Sequence, residues 1–470
     1  MAAAVTDDGI VRSVNPARPA EAVGEVALAD ADAVRAAVAR ARAAQVGWRE
    51  LGAIARGRIL RGCATAIERR ADELAALMTA EEGKTIGESR VEIDLSVETL
   101  LYHAGHARDA DGRTYPSSHP DDLVRTLRVP VGVVGMITPW NFPAQIPAWK
   151  AAPALVWGNA VVWKPSLETP VLSRTLADCL AEGGLPAGVL EVVQGGAETG
   201  RALVEHPDVD AITFTGSVPV GRAIAAAATA RGAKVQLELG GHNAAIVCAD
   251  VDPAWAASVV LAGAMGGTGQ KCTATRRVIA VGDAHDALAR ELIAQVPALV
   301  VGDGADPATQ IGPLVSDRAH AAVDAAVGQA IAAGAEVLAR APVPDGGWYY
   351  PPTVLAGTPD LAICREEVFG PVTVLLRAAD VDAAIALANA TPYGLSATVL
   401  TRDERTIRRC FDRLEAGVVK ANAPTTGTEL HAPFGGLRDS AFPAPREQNA
   451  ETAADFCTWT KTTYSRLVPE

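Results

Sequence analysis

The strongest constraint on the fold is a rhythm that sets in at residue 131 and hardly breaks until residue 239. Short apolar runs alternate with stretches of helical spacing. VGVVGMI at 131–137 reads as a buried strand and 148–157 as a helix. The pairs continue with strand 160–164 and helix 171–183, strand 189–193 and helix 199–206, strand 211–215 and helix 220–230. A last strand falls at 235–239. Strands separated by helices cannot close as hairpins. They pair in parallel, with helices on both faces of the sheet.

The rhythm restarts beyond Gly240 and Gly241. Strands at 244–248, 277–281, 372–376, 397–401 and 417–421 are interleaved with helices at 254–265, 285–296, 318–334, 381–389 and 404–414. A chain of 470 residues is too long for one ordinary core. A second α/β domain is therefore expected over 241–450. Ahead of the first sheet, 29–44, 54–84 and 88–108 have helical spacing, with Ile59, Leu60, Ile67, Leu74 and Leu77 on one face of the second. Their charged residues read as solvated helix surface. Residues 1–28 read as short strands and turns. Pro116 and Pro120 then precede the alternating run LVRTLRV at 123–129. This reads as a hairpin arm over 109–129, which the tail over 451–470 joins as a final strand.

Composition narrows the function classes. The formal charge is −13 and no basic block occurs, which argues against a nucleic-acid partner. The cysteine count of 7 is odd, and no CxxC pair is present. Neither a metal site nor a disulfide framework is expected, and a reducing compartment fits. No basic leader with an apolar run opens the chain, and no apolar stretch is long enough to span a membrane. The expected location is the cytoplasm.

Four segments carry chemistry. Cys272 lies in MGGTGQKCTATRR at 265–277, after Gly266, Gly267 and Gly269 and before three small residues. A nucleophilic thiol needs that access, although a buried structural cysteine has the same surroundings. Glu238 ends an apolar strand, where a carboxylate is expensive and its pKa is driven up, as suits a general base. A structural carboxylate satisfied by neighbours is the alternative. Asn141, in TPWNFP at 138–143, follows a strand directly and can donate to an oxyanion or simply shape a turn. FTGSVPVG at 214–221 joins a strand to a helix. Gly216 permits a tight turn, and the helix N-terminus can receive a phosphate, as can any ordinary strand–helix turn.

Together these segments resemble the aldehyde dehydrogenase family. The matching stretches are TPWNFP at 138–143, WKPS at 163–166, FTGS at 214–217, LELGG at 237–241, GQKC at 269–272, EEVFGPV at 366–372 and PFGG at 433–436, in family order. The resemblance implies an α/β fold. It comprises a Rossmann-like parallel-sheet cofactor domain over 1–108 and 130–240, a catalytic domain over 241–450 and a β oligomerisation arm over 109–129 and 451–470. It implies oxidation of an aldehyde to an acid. Cys272 forms a thiohemiacetal, Asn141 and the Cys272 N–H hold the oxyanion, and Glu238 activates water against the thioester. Lys150 and Glu447 match residues on a proton path. Lys164 and Glu367 match ribose contacts, Phe369 a residue at the nicotinamide and Ser217 a pyrophosphate contact. Ile137, Trp140, Ser166, Gly216, Gly221 and Leu239 belong to the same cofactor set. Phe142 and Trp149 match aromatics of the substrate tunnel.

Two departures refine this reading. Leu167 stands three residues after Lys164, where NAD-preferring relatives often carry Glu. Without that carboxylate, Lys164 and Ser166 can receive a 2′-phosphate, so NADP is favoured over NAD. Glycines of the usual C-terminal signature are replaced by Ala441 and Asn449. The surrounding string instead resembles the subgroup that oxidises 2,5-dioxopentanoate (α-ketoglutaric semialdehyde) to 2-oxoglutarate. Gln145, Thr425 and Thr426, with Arg276 and Arg277, are the candidates for holding an anionic substrate, and salt bridging is the alternative for the arginines. The alternatives are another small aldehyde, such as succinate semialdehyde or glyceraldehyde 3-phosphate, or a silent homologue that only binds. A homodimer or homotetramer is expected, with no metal.

Overall fold

Parallel pairing places four strand ends side by side. In a computed structural model, which describes residues 4–5, 9–109, 111–442, 448–450 and 452–466, five strands form the first sheet. Their order is Lys234–Glu238, Ala211–Thr215, Val133–Ile137, Ala160–Lys164 and Leu190–Val192, all parallel. Alternate residues point to opposite faces. Val133, Val162, Ile212, Phe214 and Leu237 enter one core, and Val134, Met136, Val161 and Trp163 the other. A sheet buried on both faces explains runs apolar throughout. Trp163 is buried with its indole N–H satisfied by Thr138 Oγ1 at 2.8 Å.

The second sheet has seven strands, in the order Glu336–Arg340, Thr353–Ala356, Val372–Ala378, Thr275–Val281, Asn243–Val247, Ser396–Leu400 and Val418–Ala421. Only its first pair is antiparallel. The sequence reading lacks the strands Glu336–Arg340 and Thr353–Ala356. The first is an exposed edge with no apolar alternation, and the second has four residues just after two prolines. The tail strand Thr458–Arg466 pairs antiparallel with Asp122–Pro130 along its length. Among the described residues no helix is long and apolar enough to cross a membrane. All seven cysteines are free.

Two helices depart from their expected bounds in ways that bear on the site. The helix expected at 148–157 is Gln145–Val156. Pro147 sits in its first turn, where no N–H is required, so proline starts the helix and does not delay it. The single helix expected at 54–84 is two, Ala53–Arg69 and Ala71–Glu82, broken at Arg70. Both bury the same face, so the apolar spacing runs through the break. The charges at its end are also not solvated surface. Glu81, Glu82 and Lys84 are buried, as is Glu92 on the next helix, Ile86–Gly105.

Candidate active site

Ile137, Lys164, Thr215 and Glu238 are each the last residue of a parallel strand. Chain order reverses at Val133–Ile137, whose neighbours are Ala160–Lys164 and Ala211–Thr215. Ligands of open α/β sheets bind at such a reversal. A cleft of about 830 Å³ opens there, lined by Ile137, Trp140, Lys164, Ser166, Gly216 and Ser217. Leu167, Glu168, Arg201 and Arg318 complete its walls. A Cβ on Gly216 would overlap the Phe214 ring. Ser217 caps the helix Val218–Ala230 without using its side chain on the cap, so hydroxyl and helix dipole both remain for a ligand. Gly221 and Leu239 lie beneath the cleft and not on its wall; a Cβ on Gly221 would come within 2.5 Å of Leu239. Burial pushes the Lys164 ammonium down to about 8, and its Nζ donates to Pro165 O at 2.9 Å.

The turn that carries Cys272 is under strain. It follows a short 3-10 turn, Gly266–Gly269, in which Gly267, Thr268 and Gly269 all have positive φ. A β-branched residue in that region is held there by its surroundings. Thr268 Oγ1 donates to Gly312 O at 3.1 Å, and a Cβ on Gly269 would overlap the Gly370 carbonyl. Asn243 Nδ2 then donates to the carbonyls of Cys272 and Ala274, both at 2.8 Å. Burial pushes the Cys272 thiol up to about 12, and the Glu367 and Glu238 carboxylates push the same way. At rest the sulfur holds its proton.

Glu367 lies in this cluster and not on the wall of the 830 Å³ cleft. It accepts from Gly241 N at 3.1 Å, and its carboxylate occupies the space a Cβ on Gly240 would need. Burial raises it to about 6, while Arg276 and the Gly241 N–H pull it down. Phe369 joins the two regions: its ring meets Trp140 edge-on at 5.6 Å and lies under the Arg276 guanidinium.

Asn141 reaches the cysteine's turn from the first sheet. Its Nδ2 donates to Gln270 O at 2.9 Å, and its second N–H is unspent among the described residues. Lys150, fully buried, donates from Nζ to Thr213 Oγ1 at 2.8 Å, and Thr213 donates to Gln236 Oε1 at 2.8 Å. Burial lowers Lys150 to about 7, against the upward pull of Glu238 and Cys457. Phe142 and Cys272 pack on an apolar cluster of Ile146, Trp149, Leu395 and Phe434. Gln145 is buried and lines a cavity of about 210 Å³ with Asn141, Phe142, Gln270 and Lys271.

Thr425 and the two arginines hydrogen-bond to other groups of the chain. Arg276 donates to the carbonyls of Gly370 and Gly269, and Arg277 to those of Leu387, His242 and Ala388. Both guanidiniums therefore brace backbone, which corrects their candidacy as a substrate clamp. Thr425 donates to Thr273 O at 2.7 Å and meets Thr275 Oγ1, while Thr426 O accepts from Lys420. Glu447 lies outside the described residues.

Residues 4–463 match the aldehyde dehydrogenase family. The chain belongs to this family. Among its relatives is the alpha-ketoglutaric semialdehyde dehydrogenase of Bacillus subtilis, 40% identical over 97% of this chain and 94% of the relative. The alpha-ketoglutarate semialdehyde dehydrogenase of Haloferax volcanii is 41% identical over 96% of this chain and 94% of its own. The crystal structure of PnpE in complex with nicotinamide adenine dinucleotide superposes with a TM-score of 0.94 at 34% identity, covering 98% of this chain and 95% of that one. For a member of this family the fold is that of the class, an α/β architecture with a parallel and a mixed sheet.

Sequence reasoning missed several residues of this aldehyde dehydrogenase site. Asn243, Arg201 and Arg318 carry no local signature. Glu82 and Glu92 do: Leu74, Met78 and Glu82 stand four residues apart on one helix, as do Glu92, Ser96 and Leu100 on the next. A carboxylate on the spacing of an apolar stripe faces inward.

Proposed function

We propose that this chain oxidises 2,5-dioxopentanoate to 2-oxoglutarate with NADP or NAD, through a thioester on Cys272. The observation that carries the chemistry is the convergence of three groups. Asn141 and Glu238 stand at the carboxyl edge of the first sheet, and Cys272 arrives on a strained turn beside them. Glu238 takes the thiol proton, and sulfur attacks the aldehyde carbon. The unspent Asn141 N–H and the Cys272 backbone N–H stabilise the oxyanion. The bound nicotinamide supplies the two-electron acceptor for the hydride. Glu238 passes that proton on to Lys150; water then attacks the thioester carbon while the freed Glu238 carboxylate takes its proton, the C–S bond breaks, and the acid leaves. Lys150 receives protons from this path, and Glu447 is assigned the same service.

The cleft fits a dinucleotide. It pairs a glycine turn with an uncapped Ser217 at a helix N-terminus, the donor set a pyrophosphate requires. NADP is favoured because Leu167 removes the carboxylate that would repel a 2′-phosphate. Lys164, Ser166, Arg201 and Arg318 supply donors on the same walls, and outnumber the carboxylates there, Glu168 included. Ile137, Trp140 and Phe369 pack on the cofactor, with Gly221 and Leu239 shaping the floor and Glu367 reaching a ribose.

The substrate assignment is supported by the names of the two relatives and by unspent donors near the sulfur. Trp149 Nε1 and Gln270 Nε2 are buried without a hydrogen-bond partner among the described residues. Buried N–H groups left unmatched are costly, and the oxo and carboxylate oxygens of this substrate would satisfy them. Phe142 and Gln145 line its path. Residues 1–108 and 130–240 form the cofactor domain, 241–450 the catalytic domain, and 109–129 with 451–470 the arm. The arm assembles a homodimer or homotetramer in the cytoplasm.

The test is kcat/KM for 2,5-dioxopentanoate, succinate semialdehyde, glyceraldehyde 3-phosphate and propanal, each with NAD and NADP. A clear preference for the first supports the substrate; a flat profile discards it. Cys272→Ala should abolish turnover and keep cofactor binding.

A further inference from the structure

Two charged side chains lie beneath the turn that carries Asn141. Glu92 is 2% exposed and Lys84 is 4% exposed. Lys84 Nζ donates to Glu92 Oε2 at 2.6 Å and to the backbone carbonyl of Asn141 at 2.6 Å. The same ammonium stands 4.5 Å from the centre of the Phe142 ring. The other Glu92 oxygen accepts from Ala144 N at 2.9 Å and Gln145 N at 3.1 Å, where the helix Gln145–Val156 begins. Of the five residues 141–145, only Pro143 escapes this pair.

A buried ion pair gains little stability over an apolar pair of equal volume, because both charges lose their water. Lys84 Nζ also stands 4.0 Å from the buried Glu82 Oε2, and the other hydrogen bonds of the Lys84 ammonium and the Glu92 carboxylate go to a single turn. We propose that Lys84 and Glu92 are positioning residues for the oxyanion site: they fix the 141–145 backbone so that the Asn141 amide stays against the Gln270–Cys272 turn. The inference rests on the proposed role of Asn141. It assigns no contact with substrate to Lys84 or Glu92. The Asn141 side chain projects from a backbone whose carbonyl is held at one end and whose following helix is anchored at the other. Release of either end lets the amide drift from the position where the oxyanion forms. A shift of about 1 Å at such a donor costs up to about a hundredfold in rate.

The test combines Lys84→Met and Glu92→Gln with Asn141→Ala. Each positioning variant should lower kcat by at least about tenfold. KM for the aldehyde, cofactor Kd and the rate of Cys272 alkylation by iodoacetamide should each stay within about twofold. In the Asn141→Ala background neither substitution should lower kcat further, because the amide they position is gone. Losses that multiply in that background, or wild-type kcat in both single variants, overturn the proposal. Wild-type kcat in Asn141→Ala itself would instead remove the oxyanion assignment. If Lys84→Met does not fold, as judged by circular dichroism, Glu92→Gln alone carries the cycle, since its single accepting oxygen cannot hold both Lys84 and the 144–145 backbone and the ion pair is lost.

Discussion

Asn141 donates its side-chain N–H to the carbonyl of Gln270 at 2.9 Å, tying the edge of the first sheet to the turn that presents Cys272. One N–H of the amide is thus spent on this bond, and the proposed oxyanion role falls to the other. Asn141→Ala should lower kcat by about a hundredfold to a thousandfold, the usual cost of an oxyanion donor. Iodoacetamide alkylation of Cys272 should be little changed. Steady-state kinetics beside alkylation rates separate the two, and an unchanged kcat counts against the oxyanion role.

Lys150 makes a prediction about pH. Its folded pKa is lowered to about 7 from 10.5 by burial. Below about 7 it is charged and cannot accept a proton; above, it is a neutral amine that can. The rate of thioester hydrolysis should therefore rise with pH through this range, and Lys150→Met should lose that limb. Stability follows the same linkage. Between about 7 and 10.5 the unfolded chain binds the extra proton, so this group's contribution to stability rises with pH across that window. Single-turnover rates and thermal melts from pH 6 to 10 check both.

Leu167 faces the 830 Å³ cleft beside Lys164 and Ser166. Leu167→Glu places a carboxylate where a 2′-phosphate would sit. The ratio of kcat/KM with NADP to that with NAD should fall by at least about tenfold. An unchanged ratio removes this position from cofactor choice.

Gly240 leaves room for Glu367. A Cβ there would overlap the carboxylate and displace it from the Gly241 N–H. Gly240→Ala should cost about 1–3 kcal/mol in stability, the usual range for overpacking. It should also speed iodoacetamide alkylation of Cys272, because Glu367 raises the Cys272 pKa from nearby and its displacement removes that effect. Denaturant unfolding and alkylation rates on the same preparation test the two effects together.

The sequence by itself determined the parallel pairing of the first sheet and of five strands of the second, since apolar runs separated by helical spacing admit no other pairing. It also marked Asn141, Glu238 and Cys272, because each follows a strand or glycine turn at a predictable edge. It could not determine the fate of charges whose partners lie far along the chain. Arg276 and Arg277 looked like candidates for an anion and instead hold backbone carbonyls up to 111 residues away. Lys84 and Glu92 looked like helix surface and instead grip the turn of Asn141, 57 and 52 residues on. Local spacing sets which face of an element is apolar. Only packing decides which polar groups lose their water, and a group that loses its water must find its hydrogen bonds wherever the fold brings them.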